Sequence, residues 1–362
     1  MIKVLYDSQT FTGQRFGGIS EYFNTLITYH DDTYGPLISG RVSNNIYIPN
    51  FDCAMKPFFP DRQFKGKLKL MKLLNRRDDR KYVQNEAAYD LYHPTYYEAV
   101  TYPKNKPVVI TAHDFISELF PSGSTPAPIT EQKRISFERA DKIICISENT
   151  RKDLLRLFPE VDESKTELVY HALTWEKKEP LPAEKPYILF TGVRNAYKNF
   201  PRFVKAVAPL LLNYDLDLLC SGHGFNEAEL QLFEELGIKD RVLHRFAKDK
   251  AELQDMYRGA LLFVFPSLYE GFGFPILEAY ASGCPIALSN TSCFPEIAGD
   301  AGVYFDPESE DSIRKAVQSL VEQEALRDTM RDKGYARLNN FTIEKLISNT
   351  SKVYKSAIDT RG

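Results

Sequence analysis

The chain has 362 residues and a formal net charge of −3, too long for one ordinary core, suited to two domains of roughly 150–180 residues each, and too near neutrality for a general nucleic-acid binder, though a local basic patch stays open. Its hydrophobic content of 43% is ample for two cores, yet no apolar run approaches the ~18–20 residues of a spanning helix, and the start at Met1-Ile2-Lys3-Val4-Leu5-Tyr6 has no signal-peptide core. Five scattered cysteines, Cys53, Cys145, Cys220, Cys284 and Cys293, form no C-x-x-C pair and have no histidine at a metal spacing, so reduced buried thiols in a cytosolic protein are expected.

Residues 2–6 read as a buried strand and 7–18 as the loop after it. Gly17-Gly18 then opens an amphipathic helix through Tyr22, Phe23, Leu26 and Ile27. Strand, Gly-Gly turn and helix make the first unit of a doubly wound α/β domain. Residues 62–81 carry nine basic side chains against Asp78 and Asp79, a local balance of +7, with Phe64, Leu68, Met71 and Leu74 at helical spacing. Such a segment is of the kind that rests on anionic lipid, or is a solvated basic helix. Strands are expected at 89–93 and 108–111, the second running into His113-Asp114. The carboxyl end of a strand is where open α/β sheets place ligand contacts, so His113 is a candidate site residue. A strand at 142–146 leads to Ser147 as the cap of a helix, and a strand at 166–170 ends at His171, which receives no role. Residues 174–186, with three prolines and mixed charge, read as an interdomain linker.

The pattern then restarts. A strand at 187–191 is followed by a loop with Arg194 and Lys198 and by a helix at 200–212; two bases in such a loop would neutralise a diphosphate. A strand at 216–220 precedes Ser221-Gly222-His223-Gly224, which is not G-x-G-x-x-G because Glu227 stands at the last position. Helices are expected at 227–236 and 249–259 and a strand near 242–246. The apolar run 261–266 reads as a buried strand. Glu270-Gly271-Phe272-Gly273-Phe274-Pro275-Ile276-Leu277-Glu278 follows it as loop and helix, with Pro275 placed to be the first helical residue. The glycines permit close backbone approach, and the helix start offers N–H groups to a phosphate. Glu270 and Glu278 flank that position and would accept hydrogen bonds from hydroxyl groups, so the ligand expected is a nucleotide sugar. Late strands at 285–289 and 302–305 precede a mostly helical tail with a last helix at about 343–357.

The motif E-G-F-G-x-P-x-x-E-A with Ala281-Ser282-Gly283-Cys284-Pro285-Ile286 after it resembles the signature of retaining GT-B glycosyltransferases of family 4. The resemblance implies two Rossmann-like domains facing across a cleft, an acceptor-binding one over 1–178, a donor-binding one over 179–342, and a C-terminal helix 343–362 returning to the first. It implies Glu270 on the donor sugar, Glu278 on the nucleotide ribose, and Arg194 and Lys198 on the donor diphosphate. His113 would lie beside the transferred sugar, and Gly17 and Gly18 under the donor phosphate. Phe272, Gly273, Phe274, Ile276 and Leu277 complete the substrate-binding set. The reaction implied is retaining transfer of a hexose from GDP-mannose or a UDP-hexose to a glycan or lipid-linked acceptor in cell-surface polysaccharide synthesis. No cofactor or metal is expected, since no D-x-D stands in a suitable loop and fixed cations take that place. The location expected is cytoplasmic, with peripheral contact to the inner face of the membrane through 62–81. A nucleotide-sugar epimerase or phosphorylase of the same architecture, or a non-catalytic sugar-binding protein, are the alternatives; a dinucleotide oxidoreductase lacks its fingerprint here.

Overall fold

The computed structural model describes residues 1–121, 128–194 and 196–361. The chain divides into two compact units. One is Met1–Thr174 together with the chain from Thr342 onward, and the other is Trp175–Phe341.

The first unit holds strands β1 (Ile2–Tyr6), β2 (Tyr34–Ile38), β3 (Leu91–His93), β4 (Val109–Ala112), β5 (Lys142–Cys145) and β6 (Thr166–Leu168). They pair in parallel as β2-β1-β3 and β4-β5-β6. A parallel bridge between Tyr92 and Val108 sets the second trio beside the first, so the strands run 2-1-3-4-5-6. The loop expected at 7–18 contains a short helix, Gln9–Gly13, and β2 was absent from the sequence expectations. Its Gly35-Pro36 pair breaks the usual strand pattern, but β2 is an edge, where proline's missing N–H costs no ladder bond. The long C-terminal helix, Ile343–Arg361, packs Leu346, Ile347 and Val353 into the core around Val4 and Phe23. Its Tyr354 hydroxyl lies 2.7 Å from that of Tyr6 and 2.8 Å from His93 Nδ1.

The basic segment differs from expectation. Its helix runs Lys67–Gln84, and the buried stripe is Lys67, Met71, Asn75, Asp79 and Val83, every fourth residue. Lys67 Nζ donates to the carbonyls of Phe59 and Arg62, each at 2.8 Å. Asn75 accepts from the amides of Arg41 and Val42, and Asp79 accepts from both hydroxyl and amide of Ser8 and from the Ser39 hydroxyl. The polar residues thus face inward because backbone and hydroxyl groups of the segments packed against the helix need partners. Leu68, Leu70 and Leu73 lie on the outer side of the helix, 48%, 41% and 67% exposed.

The second unit is a six-stranded parallel sheet of β7 (Tyr187–Thr191), β8 (Asp217–Ser221), β9 (Val242–Arg245), β10 (Leu262–Phe265), β11 (Ile286–Ser289) and β12 (Val303–Phe305), in the order β12-β11-β10-β7-β8-β9. Helices Phe200–Asn213 and Glu310–Glu322 bury Phe203, Val207, Ile313 and Val317 against Ile188, Leu218 and Val264. Continuous apolar strands such as Leu262-Phe263-Val264-Phe265 suit this, since a parallel sheet is covered on both faces. The stretch expected as a linker belongs to this unit from Trp175 onward. Lys178 N–H bonds the Ala281 carbonyl at 2.7 Å, Leu181 N–H bonds that of Arg258 at 2.8 Å, and Trp175 sits edge-on to Tyr257.

Candidate active site

In the second unit the strand order reverses between β7 and β10, where open α/β sheets bind ligands at the carboxyl ends of their strands. The loops leaving those two strands are tied together. Leu268 N–H donates to the Tyr197 carbonyl at 2.7 Å, and Lys198 Nζ pairs with Glu270 Oε1 at 2.5 Å. Both side chains are largely buried, 13% and 12% exposed, and the ammonium also lies 5.2 Å and 5.5 Å from the ring centres of Tyr197 and Phe265. The loop after β11 holds Glu270 from behind. Ser292 Oγ accepts from Glu270 N–H at 3.2 Å and donates to its carbonyl at 2.8 Å.

Gly273 caps the helix Phe274–Ala281 at φ +86°, and a Cβ there would stand 3.2 Å from Ile276 Cδ1 and 3.4 Å from the Phe265 ring, so both backbone and space call for glycine. The helix begins one residue before the expected Pro275. Glu278, one turn in, accepts from the Tyr257 hydroxyl at 3.0 Å, and Tyr257 in turn lies 2.9 Å from Thr191 Oγ1 at the end of β7. Burial, then the adjacent Glu278 carboxylate, pushes the Tyr257 hydroxyl well above its ordinary range, keeping it a donor. Ile276 and Leu277, expected to bind substrate, are fully buried, because the face of the helix they occupy packs inward; any contact from them is through backbone. Phe272 is 3% exposed and lies edge-on to Phe274 and Phe341.

Arg194 stands differently from Lys198. Its Nε donates to Glu229 Oε1 at 2.6 Å, and its Nη2 donates to the carbonyls of His223 and Gly224, both at 2.7 Å. Glu229 also closes a capping box with Asn226 at the start of helix Glu227–Glu235. The guanidinium therefore fastens the loop after β7 to the loop after β8, and of its donors Nη1 is buried without a partner. The fork expected to grip a diphosphate is largely spent on the protein.

Gly17, Gly18 and His113 belong to the first unit. Gly17 caps helix Gly18–Thr28, and its carbonyl accepts from Ser20 Oγ and Glu21 N–H. His113, at the end of β4, is 6% exposed among Tyr22, Phe23 and Tyr97, with its amide on the Tyr97 hydroxyl at 2.9 Å. Burial, then repulsion from Lys133, pushes its pKa down to about 3, so the imidazole is neutral at pH 7. His171 stacks on it at 6.2 Å and 18°, and it is also driven down by burial and by His113. His171 was passed over in the sequence, though its place after β6 parallels that of His113 after β4. Lys133, which pairs with Glu118 at 2.8 Å and donates to the Asp114 carbonyl, was also missed; it lies on helix Pro128–Arg139, whose apolar periodicity is weak. Among the described residues no group of three His, Cys, Asp or Glu side chains is placed to hold a metal, and no helix is long and apolar enough to cross a membrane.

A family model for glycosyl transferases group 1 matches residues 172–337, and one for glycosyltransferase family 4 matches residues 50–177. The chain is 28% identical over 236 residues to O-antigen chain mannosyltransferase B of Escherichia coli, covering 61% of this chain and 62% of that one. It is 26% identical over 208 residues to O-antigen chain mannosyltransferase RfbU of Salmonella typhimurium, covering 58% and 56%. The matches thus span about six tenths of these relatives' length. In structure it resembles a sucrose-phosphate synthase from Thermosynechococcus elongatus, at a TM-score of 0.74, 20% identity and 99% coverage of each chain. It also resembles Anabaena HepE solved with UDP and glucose, at a TM-score of 0.75 and 17% identity, covering 98% of this chain and 100% of that one.

Proposed function

Because the chain belongs to the GT-B glycosyltransferases, we propose that it moves a hexose from a nucleotide-diphosphate sugar to a glycan or lipid-linked acceptor used in cell-surface polysaccharide, with the donor on the second unit and the acceptor on the first. The observation that carries this reading is the Lys198–Glu270 pair across the strand-order reversal. A cation and an acid share one hydrogen bond beside the start of helix Phe274–Ala281. A diphosphate entering there takes Lys198, and Glu270, released, accepts from a sugar hydroxyl. Glu278, already oriented by Tyr257, accepts from the ribose.

The bond between the anomeric carbon and the diphosphate oxygen breaks as the acceptor oxygen forms its bond on the same face. Because attack and departure share one face, configuration is retained, and the acceptor's proton passes to the leaving phosphate. Lys198 and the helix N–H groups meet charge that grows on the leaving group, which is where fixed electrostatic contacts lower a barrier. Arg194 acts chiefly by holding the loop that carries Lys198, and its remaining donor, Nη1, is buried. Neutral His113, just after β4 in the first unit, is that unit's candidate hydrogen-bonding group for a sugar hydroxyl. In this reading the reaction needs no metal, so a chelator leaves turnover unchanged.

Two relatives are named mannosyltransferases and one solved structure holds UDP and glucose, which supports a hexosyl donor and puts GDP-mannose and UDP-hexoses first in the trial. The outer face of helix Lys67–Gln84, with Lys69, Arg76, Arg77 and Arg80 exposed beside Leu70 and Leu73, is our proposed contact with an anionic membrane at its inner face. The test is release of nucleoside diphosphate from GDP-mannose and UDP-hexoses with and without membrane glycolipid extracts, and the anomeric configuration of the product. Acceptor-dependent release with retained configuration is expected; absence of both binding and turnover for every donor would overturn the assignment.

A further inference from the structure

The second unit opens on a stretch without regular structure, 175–181, that is tied down along its length. From helix Lys250–Gly259, Gln254 Nε2 donates to the Glu176 carbonyl and Arg258 Nε to that of Glu179, both at 2.8 Å. Lys178 N–H reaches the Ala281 carbonyl at the end of helix Phe274–Ala281, and from helix Glu324–Arg337 the Tyr335 hydroxyl donates to the Lys178 carbonyl at 2.9 Å. Gly283, two residues past that helix, lies against this strap at φ +63°, and a Cβ there would stand 3.0 Å from Pro180 Cδ. The strap therefore spans the two helices that carry Tyr257 and Glu278, and it begins with Trp175, the single tryptophan of the chain. The half-buried indole meets the Tyr257 ring edge-on, at 6.1 Å and 70°, and Phe263 meets the same ring at 5.1 Å and 74°. Two edge contacts hold the phenol in one plane.

The Tyr257 hydroxyl has one proton, which it donates to Glu278 Oε2 at 3.0 Å, so Thr191 Oγ1, 2.9 Å away, donates to the phenol oxygen. Thr191, Tyr257 and Glu278 thus form one directed relay, and Trp175 holds its middle ring. We propose that Trp175, with the strap it begins, is a positioning residue for the ribose-binding acid, acting through Tyr257 to aim the Glu278 carboxylate. This rests on the assignment of Glu278 to the ribose and adds what sets its geometry. A carboxylate that accepts from two adjacent hydroxyls gains from being oriented beforehand, and Tyr257 already holds one of its oxygens. Bulk alone at 175 would fill the space, whereas an aromatic edge also sets the plane of the phenol.

The test is the preference of the full chain for GDP or UDP, whichever binds, over its 2′,3′-dideoxy counterpart, a ratio that reads the ribose contact. Hydrogen bonds to a charged group correspond to roughly 10–100-fold, and a preference of that size is expected of the parent. Trp175→Leu should cut it at least about fivefold with dideoxynucleotide binding unchanged, Trp175→Phe should keep it, and Tyr257→Phe should match Trp175→Leu. Gln254→Leu, which unties Glu176 beside Trp175, should lower the preference in the same direction, and it carries the test where a change at 175 prevents folding. A parental preference in Trp175→Leu, or equal weakening of both nucleotides, would overturn the proposal. The same titrations separate the two readings: a parent that binds both nucleotides equally strikes the ribose assignment itself, whereas a preference that survives in Trp175→Leu and Gln254→Leu strikes only the role of the strap.

Discussion

Replacing Glu270 by glutamine makes a distinguishing test, because this carboxylate is paired with Lys198 and, in the proposed reading, also serves the sugar. Lys198 must leave Glu270 before it reaches a diphosphate. A hydrogen bond between charged groups contributes about 1.5–3 kcal/mol, and the amide oxygen of glutamine keeps part of it. The competition removed is therefore about 1–2 kcal/mol, which corresponds to roughly 5–30-fold tighter binding of a nucleoside diphosphate. Using GDP or UDP rather than the nucleotide sugar leaves the lost sugar contact out of the measurement. Isothermal titration of parent and Glu270→Gln should show this gain, while transfer from the full donor falls. An unchanged or weaker affinity would mean that Lys198 does not turn to the diphosphate, and the exchange at this pair would have to be abandoned.

Arg194→Lys should destabilise the second unit by about 2–4 kcal/mol, since Glu229 and two carbonyls lose a buried fork that an ammonium cannot reproduce; an unshifted thermal transition would show the fork to be dispensable. His113 remains neutral in the fold down to about pH 3, whereas an unfolded histidine protonates near 6.5. The unfolded chain thus binds more protons between those values, and the depressed site contributes a loss of stability as pH falls, about 1.4 kcal/mol per unit. His113→Gln should flatten the parent's stability profile between pH 6.5 and 3, and superimposable slopes would contradict the burial argument. Vesicle binding should fall as salt rises, at about 1 kcal/mol per basic side chain near the surface. Replacing Lys69, Arg76, Arg77 and Arg80 by serine should abolish it; Lys67 and Lys72 are left alone because they hold the fold. Equal binding by the variant would remove the membrane contact.

The Glu270 to Glu278 stretch was legible in sequence because strand, glycine loop and helix are local, and each leaves its mark within a few residues. Its partnership with Lys198 was not, since that depends on β10 lying beside β7 across 72 residues of chain. The capping box of Asn226 and Glu229 is a readable spacing, but nothing local shows that Arg194 would take the same carboxylate. Helix Lys67–Gln84 misled for a related reason. Periodicity marks Phe64, Leu68, Met71 and Leu74 as the apolar face without showing which face the domain would cover, and Asn75 and Asp79 are needed inside by the amides of Arg41 and Val42 and by Ser8 and Ser39, elements far along the chain. Strand β2 was hidden by Gly35-Pro36, which only its edge position makes tolerable.

The central claim is that Lys198 meets charge growing on the leaving diphosphate. Lys198→Met keeps the apolar stem and removes the charge, and its turnover of the identified donor should be measured at saturating concentration. Contacts stronger in the transition state than in the ground state act on the barrier, so kcat should fall roughly 10²–10³-fold while donor KM changes far less. A near-parental kcat would contradict the account.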